Sequence, residues 1–153
     1  MAVSKTKPLY VIRFSRTHGH GAFAARKIRK GTRIVEYQGK RSSWKKALRR
    51  PPSDPDNPYH TFIFGLSNGK VIDASIDGNA ARWINHSCDP NCEAIEEDDD
   101  RVFIYAMRTI QPGEELNYDY RLSVDEGRPS KKERKRYACR CGSENCRGTM
   151  LDV

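Results

Sequence analysis

Three cysteines crowd into eight residues near the end of the chain, Cys139, Cys141 and Cys146 in the run CRCGSENC. A C-x-C-x4-C arrangement around a Gly-Ser turn gathers soft ligands and suits tetrahedral zinc. Zinc requires a fourth ligand, and neither histidine nor cysteine follows Cys146. The natural supplier is NHSCDPNC over residues 85–92, which carries His86, Cys88 and Cys92. An odd cysteine count and opening residues too polar for a secretory signal argue against an oxidised disulfide framework. Asn85-His86-Ser87 also matches the N-glycosylation pattern, but that pattern is short and matters only in an exported chain. Upstream, Gly19 and Gly21 form a G-x-G in which backbone can approach a ligand closely, although a lone G-x-G is more often just a turn.

These residues need a scaffold, and 153 residues supply about one domain with one core. No apolar run approaches the roughly 18–20 residues of a membrane helix, so a soluble, intracellular protein without membrane contact is expected. The net charge of +8 favours polyanionic neighbours, nucleic acid or chromatin among them, but names no chemistry. Its cations concentrate in KRSSWKKALRR (40–50) and RPSKKERKR (128–136), opposite in sign to EEDDD (96–100). The runs read first as solvated linkers, with a localisation signal or docking surface as the alternatives.

The elements read as mostly β. LYVIRF (9–14), RIVEYQG (33–39), YHTFIFGL (59–66), KVIDA (70–74), CEAIEE (92–97) and RVFIYAMRTI (101–110) are rich in β-branched and aromatic residues between turn formers. SNGK predicts a two-residue hairpin turn, and EDDDR a second hairpin. Helix is expected only over SSWKKALRR, with serine at its start and the prolines after it, and over GNAARWIN.

The order HGHGAFA, EYQG, VIDA…GNAARWINHSCDPNC, I-x-PGEELNYDY and CRCGSENCRG resembles the SET-domain protein lysine methyltransferases with a cysteine-rich post-SET tail. The resemblance runs from about residue 9 to 151 and rests chiefly on NHSC-x-PN followed by GEEL-x-YDY. It implies a mainly β SET-domain fold of β-clip type, in which small sheets and a pseudoknot bring NHSC beside YDY. The implied organisation is a SET domain over 9–121, a basic linker over 122–136 and a zinc-stapled post-SET segment over 137–153. It implies S-adenosylmethionine as methyl donor, one structural Zn2+, and a lysine-containing protein substrate, with a histone tail as a candidate. Chromatin would be the location in a nucleus or a host, and cytoplasm in a bacterial housekeeping enzyme.

Residue by residue, His18, Gly19 and His20 match the first cofactor-contacting turn. Tyr59 and Arg82 match positions lining the cofactor pocket, and Asn85 and His86 match the pair that grips it. Cys88 matches the fourth zinc ligand beside Cys139, Cys141 and Cys146, which leaves Cys92 as a buried thiol. Tyr37, Tyr118 and Tyr120 match the lysine channel, with Tyr120 the principal catalytic residue. The implied chemistry is an in-line displacement, so the methyl and the amine lone pair must face each other. A lysine amine of pKa about 10.4 must first lose its proton, which an apolar aromatic channel and a nearby sulfonium both favour. A tyrosine at position 118, where the family varies between Tyr and Phe, predicts mainly mono- or dimethylation.

Some features depart from the family. Lys40 stands where many members carry an acidic residue, the stretch between EYQG and YHTF is short, and no cysteine-rich region precedes the domain. These departures put histone specificity in doubt and suggest a free-standing minimal enzyme. Competing functions are a basic, zinc-stapled nucleic-acid-binding module and a catalytically silent SET-like peptide binder; intact Tyr120, Asn85 and His86 argue against silence.

Overall fold

The computed structural model describes residues 8–16, 19–51, 62–122 and 130–152. Small sheets dominate, as expected. Strand β1 (Tyr10–Phe14) forms an antiparallel hairpin with β2 (His20–Ala24), in register from Tyr10 opposite Ala24 to Phe14 opposite His20. HGAFA lacks the β-branched residues that signal a strand, so β2 was not expected from the sequence; its small residues let the backbone pass close to its neighbours. At Gly21, a Cβ would stand 2.5 Å from Glu115 Oε2.

The run 33–39 yields only β3 (Arg33–Glu36), because Gly39 then packs onto the backbone of Asp73, where a Cβ would lie 2.5 Å from the carbonyl oxygen. The chain turns there into β4 (Lys40–Ser43) and helix α1 (Trp44–Leu48). Residues 40–50 are therefore folded structure rather than linker. Lys40, Arg41, Lys45, Lys46 and Arg49 are exposed while Ser43 caps the helix through Lys46 N–H, and Arg50 ties its end to Asp73 and to Ser42 Oγ at 3.3 Å. Strands β5 (Ile63–Gly65) and β6 (Lys70–Asp73) complete a three-stranded sheet in the order β4-β6-β5. Residues 59–61 of the expected strand lie outside the described residues.

The 67–70 hairpin exists, but its turn is one residue longer than expected. Gly69 N–H donates to Leu66 O and Leu66 N–H to Lys70 O, with positive φ at Gly69 and not at Asn68, a type I turn closed by a glycine bulge. The second hairpin repeats this geometry with Asp100 (φ 60°) in the glycine's place. It joins β8 (Cys92–Glu96) to β9 (Val102–Ala106), and the sheet order is β3-β9-β8.

The predicted helix near residue 80 is one 3₁₀ turn over Ala80–Trp83, followed by the two-residue strand β7 (Asn85–His86). Strand β10 (Asn117–Tyr118) pairs with β7 in parallel. A single core underlies these sheets, with Ile28, Ile72, Ile84, Ile104, Ile110 and Leu116 at most 1% exposed. Helix α2 (Lys131–Arg136) carries a capping box between Ser130 and Glu133 and buries no residue. The tail returns to the body through an isolated bridge of Leu122 with Leu151, while a second bridge, Ala138 with Thr149, folds the tail on itself.

Candidate active site and cysteine centre

A ladder of two residues per strand is too short to hold two segments together, and side chains extend it. Asn117 opposes Asn85, Tyr118 opposes His86, and Ser87 N–H donates to Tyr118 O at 3.1 Å. Asn91 and Asn117 then clasp reciprocally, each backbone N–H donating to the other's Oδ1, at 2.9 and 3.0 Å. Asn91 Nδ2 also donates to Glu115 O at 2.8 Å. Such mutual satisfaction is what buried amides require, and Asn91 is 2% exposed. NHSC and YDY are thereby held side by side.

Tyr118 and Tyr120 are stacked at a tilt with ring centroids 4.8 Å apart, and Tyr120 meets His86 edge-on at 5.3 Å. The Tyr120 hydroxyl donates to Ile84 O, and the Tyr37 hydroxyl donates to Phe62 O at 2.8 Å. Burial pushes all three phenols above the ordinary tyrosine value, and Tyr118 and Tyr37 lie close enough to Tyr120 to disfavour its phenolate further. Three neutral tyrosines thus converge on one aromatic region.

His86 is fixed on both ring nitrogens. Nδ1 accepts from Tyr120 N–H at 3.0 Å, so Nε2 carries the proton and faces Cys88 Sγ at 3.4 Å. Burial lowers its pKa to about 4, a shift that Asp119 opposes and Arg147 assists, so the ring is neutral at pH 7. Asp119, between the two tyrosines, receives both guanidinium nitrogens of Arg147 at 2.6 and 3.0 Å. Burial works against its ionisation, but the Arg147 bonds and Arg121 N–H hold its carboxyl below the ordinary value.

Among the residues expected to bind the cofactor, Asn85 donates through Nδ2 to His20 O and to Glu115 Oε2, both at 2.8 Å. His20 packs on Trp83 at 4.9 Å between ring centroids, and the Arg82 guanidinium lies 4.6 Å from the Trp83 ring. Gly19 adopts φ +45°, as the expected turn requires. Arg82 Nε is buried with no partner among the described residues, an orphaned donor beside the expected pocket and a feature that fits a polar ligand. His18 and Tyr59 lie outside the described residues.

Cys88, Cys139, Cys141 and Cys146 form one cluster whose four sulfurs all lie within 4.8 Å of one another. The Cys88–Cys139 separation of 3.7 Å is close to the edge of about 3.8 Å in a tetrahedron with metal–sulfur bonds of about 2.3 Å. Donors surround the sulfurs: Arg147 N–H on Cys88, Cys141 N–H on Cys139, Gly148 N–H on Cys146 and the Ser143 hydroxyl beside Cys141. Four thiolate donors of this geometry fit a metal of zinc's preferences. Cys92 is buried elsewhere, and burial pushes its thiol up to about 12.

Sequence reasoning passed over Glu115, Asn91, Asn117, Asp119 and Arg147. The only available signal was their position inside the motifs, since what they do depends on partners 24 to 100 residues away.

The SET domain family model matches residues 19–121, and the chain belongs to the SET-domain family. It is 39% identical over 139 residues to histone-lysine N-methyltransferase trr of Drosophila melanogaster, covering 89% of this chain and 6% of that protein. Histone-lysine N-methyltransferase 2D of Homo sapiens is 37% identical over 139 residues, covering 89% and 2%, and ATX2 of Arabidopsis thaliana is 38% identical over 150 residues, covering 89% and 12%. The chain therefore spans only a small part of the curated relatives it matches. Among the described residues, no helix is long and apolar enough to cross a membrane.

Proposed function

We propose that this chain is a catalytic domain that transfers a methyl group from S-adenosylmethionine to the side-chain amine of lysine in a protein, with histone tails as the leading substrate class. The observation that carries this reading is the parallel pairing of Asn85–His86 with Asn117–Tyr118, which sets the tyrosine cluster beside the NHSC segment in a chain of this family. The functional units are residues 9–121 for catalysis, 122–136 as a basic connection and 137–153 as a zinc-stapled tail.

When bound, S-adenosylmethionine supplies a sulfonium-activated methyl group. Gly19, His20, Arg82, Asn85 and His86, with His18 and Tyr59, form its binding set. The chain's part is to orient and desolvate. Tyr37, Tyr118 and Tyr120 wall a channel that disfavours the lysine ammonium, and Tyr120 orders the reacting end while its phenol stays neutral. None of the three phenols serves as a base at neutral pH, so the amine's proton leaves to water before attack. Cys88, Cys139, Cys141 and Cys146 would hold one zinc ion with no open position, which makes the metal a structural clamp. The exposed basic residues around α1 and α2 favour a chromatin-associated substrate.

The test is to incubate the zinc-loaded chain with methyl-labelled S-adenosylmethionine and histones, nucleosomes and cell lysate, and to locate the label by mass spectrometry. Labelled lysine is the expected result. Cofactor binding without transfer to any of these substrates would mark a silent binder and overturn the catalytic reading.

A further inference from the structure

Glu115 has no role in the binding set above, yet it occupies a constrained position next to it. Its segment is stitched to β2: Gly113 N–H donates to Ala24 O, Ala24 N–H to Glu114 O and Leu116 N–H to Ala22 O, at 2.7 to 2.8 Å. The carboxylate reaches Ser15, whose hydroxyl lies 2.8 and 2.9 Å from its two oxygens, and Asn85, whose Nδ2 donates to Oε2 at 2.8 Å. Space for it exists only because residue 21 is glycine. A Cβ there would stand 2.5 Å from Oε2 and 2.8 Å from Ser15 Cβ.

This arrangement decides which way the Asn85 amide points. Its nitrogen has two hydrogens, and the groups it faces, His20 O and Glu115 Oε2, are both acceptors. Turning the amide over would set its oxygen against a carbonyl and a carboxylate, so the hydrogen-bond network fixes the orientation. Both hydrogens of Nδ2 are engaged, which leaves Oδ1 as the amide's remaining acceptor, with no hydrogen bond to it among the described residues, on a residue that is 6% exposed. The Glu115 charge also lies near enough to Tyr120 to disfavour its phenolate.

We infer that Glu115 is a positioning residue for the methyl donor: it locks the Asn85 amide so that Oδ1 is presented to the donor's α-ammonium group. The inference rests on the methyltransferase reading above. Without the carboxylate, the amide keeps only the His20 carbonyl as a partner and can rotate, and the ammonium then loses an oriented acceptor.

Calorimetric titration of the zinc-loaded chain with S-adenosylmethionine and with S-adenosylhomocysteine, which share that ammonium, tests it. Glu115→Ala should weaken both by about tenfold, the scale of one hydrogen bond to a charged group. Glu115→Gln, whose amide oxygen still accepts from Asn85, should remain within about threefold of wild type. In the Asn85→Ala background, Glu115→Ala should cost no more than about twofold further, because the two act as a unit. Full additivity, wild-type affinity in Glu115→Ala, or a Glu115→Gln variant as weak as Glu115→Ala would each overturn the inference. Should Glu115→Ala fail to fold, Asn85→Asp reads the same contact. It sets two carboxylates face to face and should lose affinity that Glu115→Gln partly restores; no restoration would refute the contact's role. A wild-type chain that binds neither ligand would defeat the methyltransferase reading itself, and this inference with it, whereas normal wild-type binding with unaffected variants defeats the inference alone.

Discussion

Two neighbouring regions meet at Cys88 and are held by different forces. The paired segments around Asn85–His86 and Asn117–Tyr118 are enclosed: Asn85, His86, Tyr118 and Asn91 are at most 6% exposed, and their amides and ring nitrogens find partners within the fold. The tail is enclosed only at its end, where Thr149 and Leu151 are at most 2% exposed. Helix α2 buries nothing, the four clustered cysteines are all partly exposed, and among the described residues the segment meets the body through the Leu122–Leu151 bridge, the contacts of Cys88 and the Arg147–Asp119 pair. The first region is thus specified by burial and hydrogen bonding, while the second buries little beyond Thr149 and Leu151 and gathers four sulfurs that a metal ion would cross-link. In small segments with little core, metal-binding energy is folding energy.

If zinc clamps the tail as proposed, its removal separates the two regions most clearly. Chelation should expose the amides of 137–152 to hydrogen exchange while those of 85–118 stay protected, and activity should fall on the order of a hundredfold as the tail detaches. Uniform loss of protection in both segments would show that the division is false.

The next largest effect concerns the bridge between them. Arg147 contributes its N–H to Cys88 and its guanidinium to Asp119, which lies between Tyr118 and Tyr120 in the chain. Asp119→Ala should lower kcat by about tenfold, the cost of losing a charge-assisted pair, with bound zinc still at one equivalent. Loss of zinc in this variant would place the bridge within the metal site rather than between the regions.

Tyr118→Phe acts within the enclosed region alone. It should change the overall rate by no more than about threefold, as expected for removal of one hydroxyl that leaves the ring in place, but extend the product toward trimethyl-lysine. An unchanged methylation state in the mass spectrum would contradict the product assignment.

The smallest effect lies away from both regions. Asp73 is 3% exposed, and although burial opposes its ionisation, Ser75 and Arg50 hold its carboxyl below the ordinary value. A depressed pKa contributes stability that is complete above the unfolded value of about 3.9 and is lost as pH falls through the lower folded value. Arg50→Ala should therefore lower the melting temperature at pH 7 while leaving product state unchanged, and the difference from wild type should shrink below pH 4. A constant difference down to pH 3 would exclude this pair as its source.

Much of the site was legible because its chemistry sits in short, contiguous motifs. Three of the four clustered cysteines were visible in CRCGSENC, and the NHSC stretch marked where the fourth had to lie. The strands that alternate β-branched and aromatic residues were likewise visible, with their ends misjudged by a few residues. β2 was hidden because Gly and Ala carry no strand preference, and β7 and β10 because two residues are too few to show a period. Glu115 and Asp119 were hidden for another reason. Their roles are defined by Ser15, Asn85 and Arg147, partners that only the folded chain brings within reach.

The central claim, that the enclosed region performs methyl transfer through Tyr120, is tested most directly by single-turnover kinetics of wild type and Tyr120→Phe with saturating S-adenosylmethionine and a lysine substrate. Tyr120→Phe should bind cofactor normally and transfer the methyl group roughly a hundredfold or more slowly, the scale seen when one oriented hydroxyl is removed from a preorganised site. Transfer at the wild-type rate by Tyr120→Phe, with cofactor bound normally, would contradict the claim.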